Sequence, residues 1–112
     1  MIMTIGDKLM GHRWVLSIWD CRKCVGEEFV IWSHKPSKSE FKRELCRFLA
    51  QRKIASCFSL DGTIKDDYID KYVGNMYEHI CANWNNWKNG NCAIYDYCVG
   101  IEEYVDGKRV SF

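Results

Sequence analysis

Between residues 64 and 88 the side chains repeat at steps of three and four, and no other stretch restricts the fold as strongly. Ile69, Tyr72, Val73, Met76, Tyr77, Ile80, Trp84 and Trp87 fall on one stripe when wound at about 100° per residue, with Cys81 at its edge. Asp67, Lys71, Glu78, Asn85 and Asn86 fall on the opposite side. The pattern predicts one amphipathic helix of about 25 residues, roughly 37 Å long. Thr63 and Asp66 have the spacing of a capping box, and Asp66 and Asp67 suit the positive end of a helix. Lys88 and then Gly90 mark its stop. Gly74 in mid-helix is expected to mark close packing against a neighbour.

The rest of the chain reads as pieces that cover this helix. Segments 13–20 and 27–34 are rich in Val, Ile, Phe and Trp and predict two strands, with 21–26 as the tip of an antiparallel hairpin. Pro36 ends the second strand. Ser37 with Glu40 forms a capping box that opens a helix running to Arg52, with Phe41, Leu45, Phe48 and Leu49 on its buried face. Residues 54–60 alternate in a way that allows a short strand, and Asp61-Gly62 is a turn. Residues 92–105 read as one long strand with Tyr95, Tyr97, Val99 and Ile101 on one face. Asp106-Gly107 is the strongest hairpin signal. A two-residue turn there pairs Val105 with Lys108, sets Glu103 against Val110, and sets Ile101 against Phe112. The expected order is β-β-α-(β)-α-β-β. That is an α+β fold, a mostly antiparallel sheet of two hairpins packed on two helices, in a single domain spanning 1–112.

Composition narrows the function classes. With 47% hydrophobic and 14% aromatic residues, the 112-residue chain can bury a core. A formal net charge of +1 singles out no partner. No run of 18 apolar residues is present, so no membrane partner is expected, and residues 1–19 lack the apolar block of an export signal. Seven cysteines without such a signal predict reduced thiols and a cytoplasmic location, with Cys46, Cys57, Cys81 and Cys98 as small buried hydrophobes.

No sequence pattern for a cofactor or a catalytic centre emerges. Glycine-rich phosphate loops are absent, and no family signature surrounds a cysteine or any of His12, His34 and His79. Cys21 and Cys24 have C-x-x-C spacing on a hairpin tip and could supply half of a tetrahedral zinc site. A second ligand pair is missing from the sequence, so solvent-facing thiols are the simpler expectation. Acidic neighbours at Glu27-Glu28 and Glu102-Glu103 point to opposite faces of a strand and do not form acid/base pairs by adjacency.

Two surfaces stand out. Residues 35–53 carry a net +5, with Lys38, Lys42, Arg43 and Arg47 on the helix, against a net −3 over 61–78. Residues 83–91 hold Trp84 and Trp87 among five asparagines, followed by Lys88. Rigid aromatic area beside adaptable amides suits a protein interface. The expected function is therefore a small non-enzymatic protein–protein interaction module, an inhibitor or adaptor. It would bind a protein partner through Trp84, Trp87, Lys88, Lys38, Lys42, Arg43 and Arg47, with homo-oligomerisation as one form of the same reading. The alternative is a nucleic-acid binder using the basic helix over 37–53.

Overall fold

A computed structural model of the chain describes residues 9–52, 64–84 and 91–110. Its elements are strands β1 (His12–Asp20) and β2 (Val25–Trp32), helices α1 (Lys38–Gln51) and α2 (Asp67–Ala82), and strands β3 (Cys92–Ile94), β4 (Tyr97–Val105) and β5 (Lys108–Arg109). Among the described residues the fold is α+β, with a five-stranded antiparallel sheet and two helices. The sheet runs β2-β1-β4-β3, and β5 pairs with β4.

The chain divides into two units, described separately: Met1–Lys35 with Ile80–Phe112, and Pro36–His79. The first holds the sheet. Register places Leu16 opposite Ile101 and Ile18 opposite Val99, so these four share a face. Leu16, Ile18, Val99 and Ile94 are buried. On the other face of β1, Val15 and Ser17 are also buried. The β1–β2 turn spans 21–24, and β2 starts at Val25, two residues earlier than expected. A register shift follows: Ile18 faces Glu28 while Trp19 faces Gly26, which leaves Glu27 as an extra residue on β2.

The expected long strand over 92–105 is instead a hairpin. Tyr95 and Asp96 form a turn, and Ile94 pairs with Tyr97. Tyr95 adopts φ 54°, a left-handed conformation that a bulky residue rarely takes, which is why no turn was legible there. Beyond it, Tyr97, Val99 and Ile101 do share one face. The Asp106-Gly107 hairpin forms as expected. Val105 pairs with Lys108, both turn residues have positive φ, and Val110 N–H donates to the Glu103 carbonyl at 2.8 Å. Gly11 N–H in turn donates to Asp106 Oδ1 at 2.9 Å, and Asp106 N–H to the Gly11 carbonyl.

The second unit is helical. Ser37 caps α1 with a full capping box: its Oγ accepts from Glu40 N–H, and its own N–H donates to Glu40 Oε1. Phe41, Leu45, Phe48 and Leu49 are buried as expected, joined by Cys46 and Ala50. Helix α2 is 16 residues long, roughly 24 Å, shorter than the sequence pattern implied. Its cap is Asp66, whose Oδ1 accepts from Ile69 N–H at 3.1 Å. The Thr63 cap, the strand over 54–60, the Asp61-Gly62 turn and the helix end over 85–90 lie outside the described residues. Val73, Met76 and Ile80 are buried, but Tyr72 is exposed, so the buried stripe is narrower than the sequence pattern. Tyr77 O–H donates to the Pro36 carbonyl at 2.7 Å, and its ring lies 5.6 Å from Phe41. Among the described residues Gly74 does not mark close packing, because a Cβ built there meets none of their atoms within 4 Å.

Candidate functional site

The residues expected to form one contact surface belong to both units. Lys38, Lys42, Arg43 and Arg47 lie on α1 in the helical unit. Lys38 Nζ pairs with Glu78 at 2.5 Å, and Lys42 pairs with Asp70. Both acids are on α2, so part of the positive helix face is already answered within this unit. Arg47 pairs with Glu44, three residues before it on the helix, at 3.6 Å, and Arg43 also reaches Glu44, at 3.9 Å. Glu40 serves the capping box.

Trp84 lies in the sheet unit and is half-buried. Its indole N–H donates to Glu103 Oε1 at 2.8 Å, and Lys35 Nζ sits 4.8 Å from its ring centre. Glu103 Oε2 is 2.5 Å from His12 Nε2, and the His12 ring stacks on Trp14 at 4.0 Å. Trp84 is thus fixed in a polar network. Trp87 and Lys88 lie outside the described residues.

The C-x-x-C pair is not a pair of thiols. Cys21 is disulfide-bonded to Cys98, with Cα atoms 6.0 Å apart. This corrects three expectations: the cysteines are not all reduced thiols, Cys21 has no thiolate to offer zinc beside Cys24, and Cys98 is not a buried hydrophobe. The physical reason is register. Trp19 faces Cys98 across β1–β4, and the chain continues two residues further to Cys21 at the same sheet end. Cys24 is exposed and carries a thiol outside any disulfide. Cys46 is buried as expected, Cys81 is half-buried, and Cys57 lies outside the described residues. Burial raises the pKa of the Cys92 thiol. Among the described residues, no group of three or more His, Cys, Asp or Glu side chains could hold a metal ion.

A different site emerges at the sheet end where the β1–β2 and β3–β4 turns meet. Cys21 N–H donates to the Asp96 carbonyl at 2.8 Å, and Arg22 pairs with Asp96 at 3.3 Å. Asp20 is buried and organises the first turn: its Oδ1 accepts from Arg22 N–H at 2.9 Å and Lys23 N–H at 3.0 Å. The Lys23 hydrogen bond is the main cause of a lowered Asp20 pKa. Burial opposes it, while the Arg22 hydrogen bond and the Arg22 and Lys23 charges add to it.

Trp19, Asp20, Cys21, Cys24, Asn91 and Cys98 line a cleft of about 350 Å³ in this region. Trp19 is 38% exposed and Phe29 47% exposed, and their rings meet edge to face at 6.5 Å. Val25, on the same hairpin, and Tyr95, on the neighbouring turn, are exposed too. Sequence reading missed this patch because Trp19 and Phe29 are ten residues apart and meet only through the β1–β2 register, in which Ser17 faces Phe29. The alternation of Val15, Ser17 and Trp19 was the one signal pointing there.

Among the described residues, no helix is long and apolar enough to cross a membrane. Set against protein-family models, curated proteins and solved structures, the chain matches none of them.

Proposed function

We propose that this chain is a small non-enzymatic protein-binding module, an inhibitor or adaptor of a larger complex, and that it binds through the aromatic end of its sheet unit. The observation that carries this reading is the exposed Trp19–Phe29 ring pair beside the Cys21–Cys98 cleft. Apolar rings grouped at a surface gain free energy when a partner covers them, and tryptophan is prominent among residues that anchor interfaces. The Arg22–Asp96 ion pair lies at the same sheet end and can supply part of a polar rim. A cytoplasmic site of action was part of the same expectation, but the Cys21–Cys98 disulfide removes the reduced-thiol argument for it.

The test compares immobilised wild type with Trp19→Ser and Phe29→Ser in affinity capture from a lysate, read by quantitative mass spectrometry. Each variant must keep a native far-ultraviolet spectrum. Proteins retained by wild type should fall about tenfold with either variant, as expected for loss of an anchor side chain. Equal retention by all three removes the patch from consideration.

Self-association is the form of this reading that β2 favours, because among the described residues β2 is the outer strand of its side of the sheet and carries the exposed Val25 and Phe29. Sedimentation over a range of concentrations reads it directly. Nucleic-acid binding through α1 is the weaker alternative, since Lys38 and Lys42 each face a carboxylate. Retention on an oligonucleotide column that falls steeply with salt would favour it.

A further inference from the structure

The structure assigns a thiol–disulfide exchange site to the β1–β2 turn: the Cys24 thiolate attacks Cys21 of the Cys21–Cys98 disulfide, forming Cys21–Cys24 and releasing Cys98. This goes beyond the binding reading and does not depend on it. Three sulfur-bearing residues line one cleft. Cys21 and Cys24 are exposed, whereas Cys98 is half-buried on β4. The more exposed half of the disulfide is therefore the residue nearer in sequence to the attacking thiol.

The turn brings the nucleophile close. Cys24 N–H donates to the Asp20 carbonyl at 2.8 Å, which folds 21–24 back on itself. Cys24 Sγ already lies 3.8 Å from the Cys21 carbonyl oxygen. Residues three apart across a tight turn have Cα atoms within about 7 Å, near the upper end of disulfide reach. Cys24 holds φ 55°, a conformation that a non-glycine residue adopts only when its surroundings impose it.

The step balances without any added oxidant. Cys24 loses its proton to solvent, the Cys24–Cys21 bond forms and the Cys21–Cys98 bond breaks. The electron pair leaves on Cys98, which takes up a proton. One disulfide and one thiol remain. What changes is the connection: a link spanning 77 positions gives way to one local to the turn, and the Cys98 thiol opens into the cleft.

Tryptic mapping without reduction distinguishes the two isomers, because Arg22 and Lys23 both lie between Cys21 and Cys24. The Cys21 peptide is then tied to either the Cys24 or the Cys98 peptide. Oxidised protein is incubated at a series of pH values, quenched with acid, alkylated and digested. We expect both linked pairs, with exchange faster at higher pH because the thiolate is the attacking species. Cys24→Ser, and Cys24→Gly, which suits the positive φ, should leave only the Cys21–Cys98 pair. In Cys98→Ser, oxidised glutathione should drive Cys21–Cys24 formation. Recovery of Cys21–Cys98 alone at every pH overturns the site. So does Cys98→Ser protein that stops at glutathione adducts on Cys21 and Cys24, or wild type in which oxidised glutathione never yields Cys21–Cys98.

Discussion

Trp84 donates its indole N–H to the same Glu103 carboxylate whose other oxygen meets His12. One half-buried acid thereby links the segment after α2 to the start of β1. Trp84→Phe keeps most of the ring and removes the donor. A hydrogen bond to a charged acceptor contributes about 1.5 kcal/mol, so the urea unfolding free energy should fall by that order. If Trp84→Phe and Glu103→Ala together cost no less than the sum of the two singles, the bond contributes no coupling of its own. This tie also makes Trp84 a poor probe of binding, since its truncation disturbs the sheet unit whether or not a partner touches it.

Asp20 gives the β1–β2 turn an acid-sensitive hold. Its pKa in the folded chain lies below the ordinary 3.8, chiefly because Lys23 N–H donates to the carboxylate. A depressed folded value means that the stabilisation is complete above the unfolded pKa and is lost as pH falls through the folded one. Asp20→Asn keeps an acceptor oxygen but cannot titrate. Wild type should therefore lose more unfolding free energy than Asp20→Asn between about pH 6 and about pH 3. Equal losses would show that the turn does not depend on the carboxylate charge.

At the alkaline end the sensitive group is Tyr104. Desolvation and a hydrogen bond donated to Glu102 push its pKa from 10.0 up to about 12. The neutral phenol is favoured in the folded chain, so its contribution is full below pH 10.0 and is lost as pH rises towards about 12. Tyr104→Phe should flatten that part of the stability curve. Phenolate absorbance gives a second readout, with the highest-pH step of wild type missing from Tyr104→Phe. A variant whose alkaline unfolding matches wild type in both readouts would remove Tyr104 as the cause.

What could be read from the chain alone was whatever neighbours in sequence dictate. The Ser37–Glu40 box, the Phe41-Leu45-Phe48-Leu49 face and the Asp106-Gly107 hairpin each depend on residues within two turns of one another, and each appears where expected. What depends on strand order was not legible. The Cys21–Cys98 bond and the Trp19–Phe29 pair exist because β1 lies between β2 and β4, and nothing local encodes that placement. The Tyr95-Asp96 turn was hidden for a related reason: Asp96 is its lone turn-forming residue, Tyr95 disfavours the positive φ it adopts, and the Asp96 carbonyl is engaged by Cys21 from another hairpin. The proposed contact surface moved from Trp84 and the basic helix to Trp19 and Phe29 on the same grounds. Sequence shows which side chains are large and charged, and register decides which of them remain in water.

Gly74 offers the sharpest check on α2. Glycine in a helix interior costs about 1 kcal/mol relative to alanine, through backbone entropy in the unfolded chain and a missing β-carbon in the folded one. Nature tolerates that cost where a neighbouring backbone needs the space, as the sequence led us to expect here. Among the described residues the geometry removes that reason, because none of their atoms lies within 4 Å of a Cβ at position 74. The position lies well inside Asp67–Ala82 and is not among the positive-φ glycines. Gly74→Ala should therefore raise the unfolding free energy by about 1 kcal/mol. Urea denaturation followed by the far-ultraviolet helix signal measures it. A loss of stability would mean that something occupies the space beside Gly74 in solution, and the close-packing expectation would return.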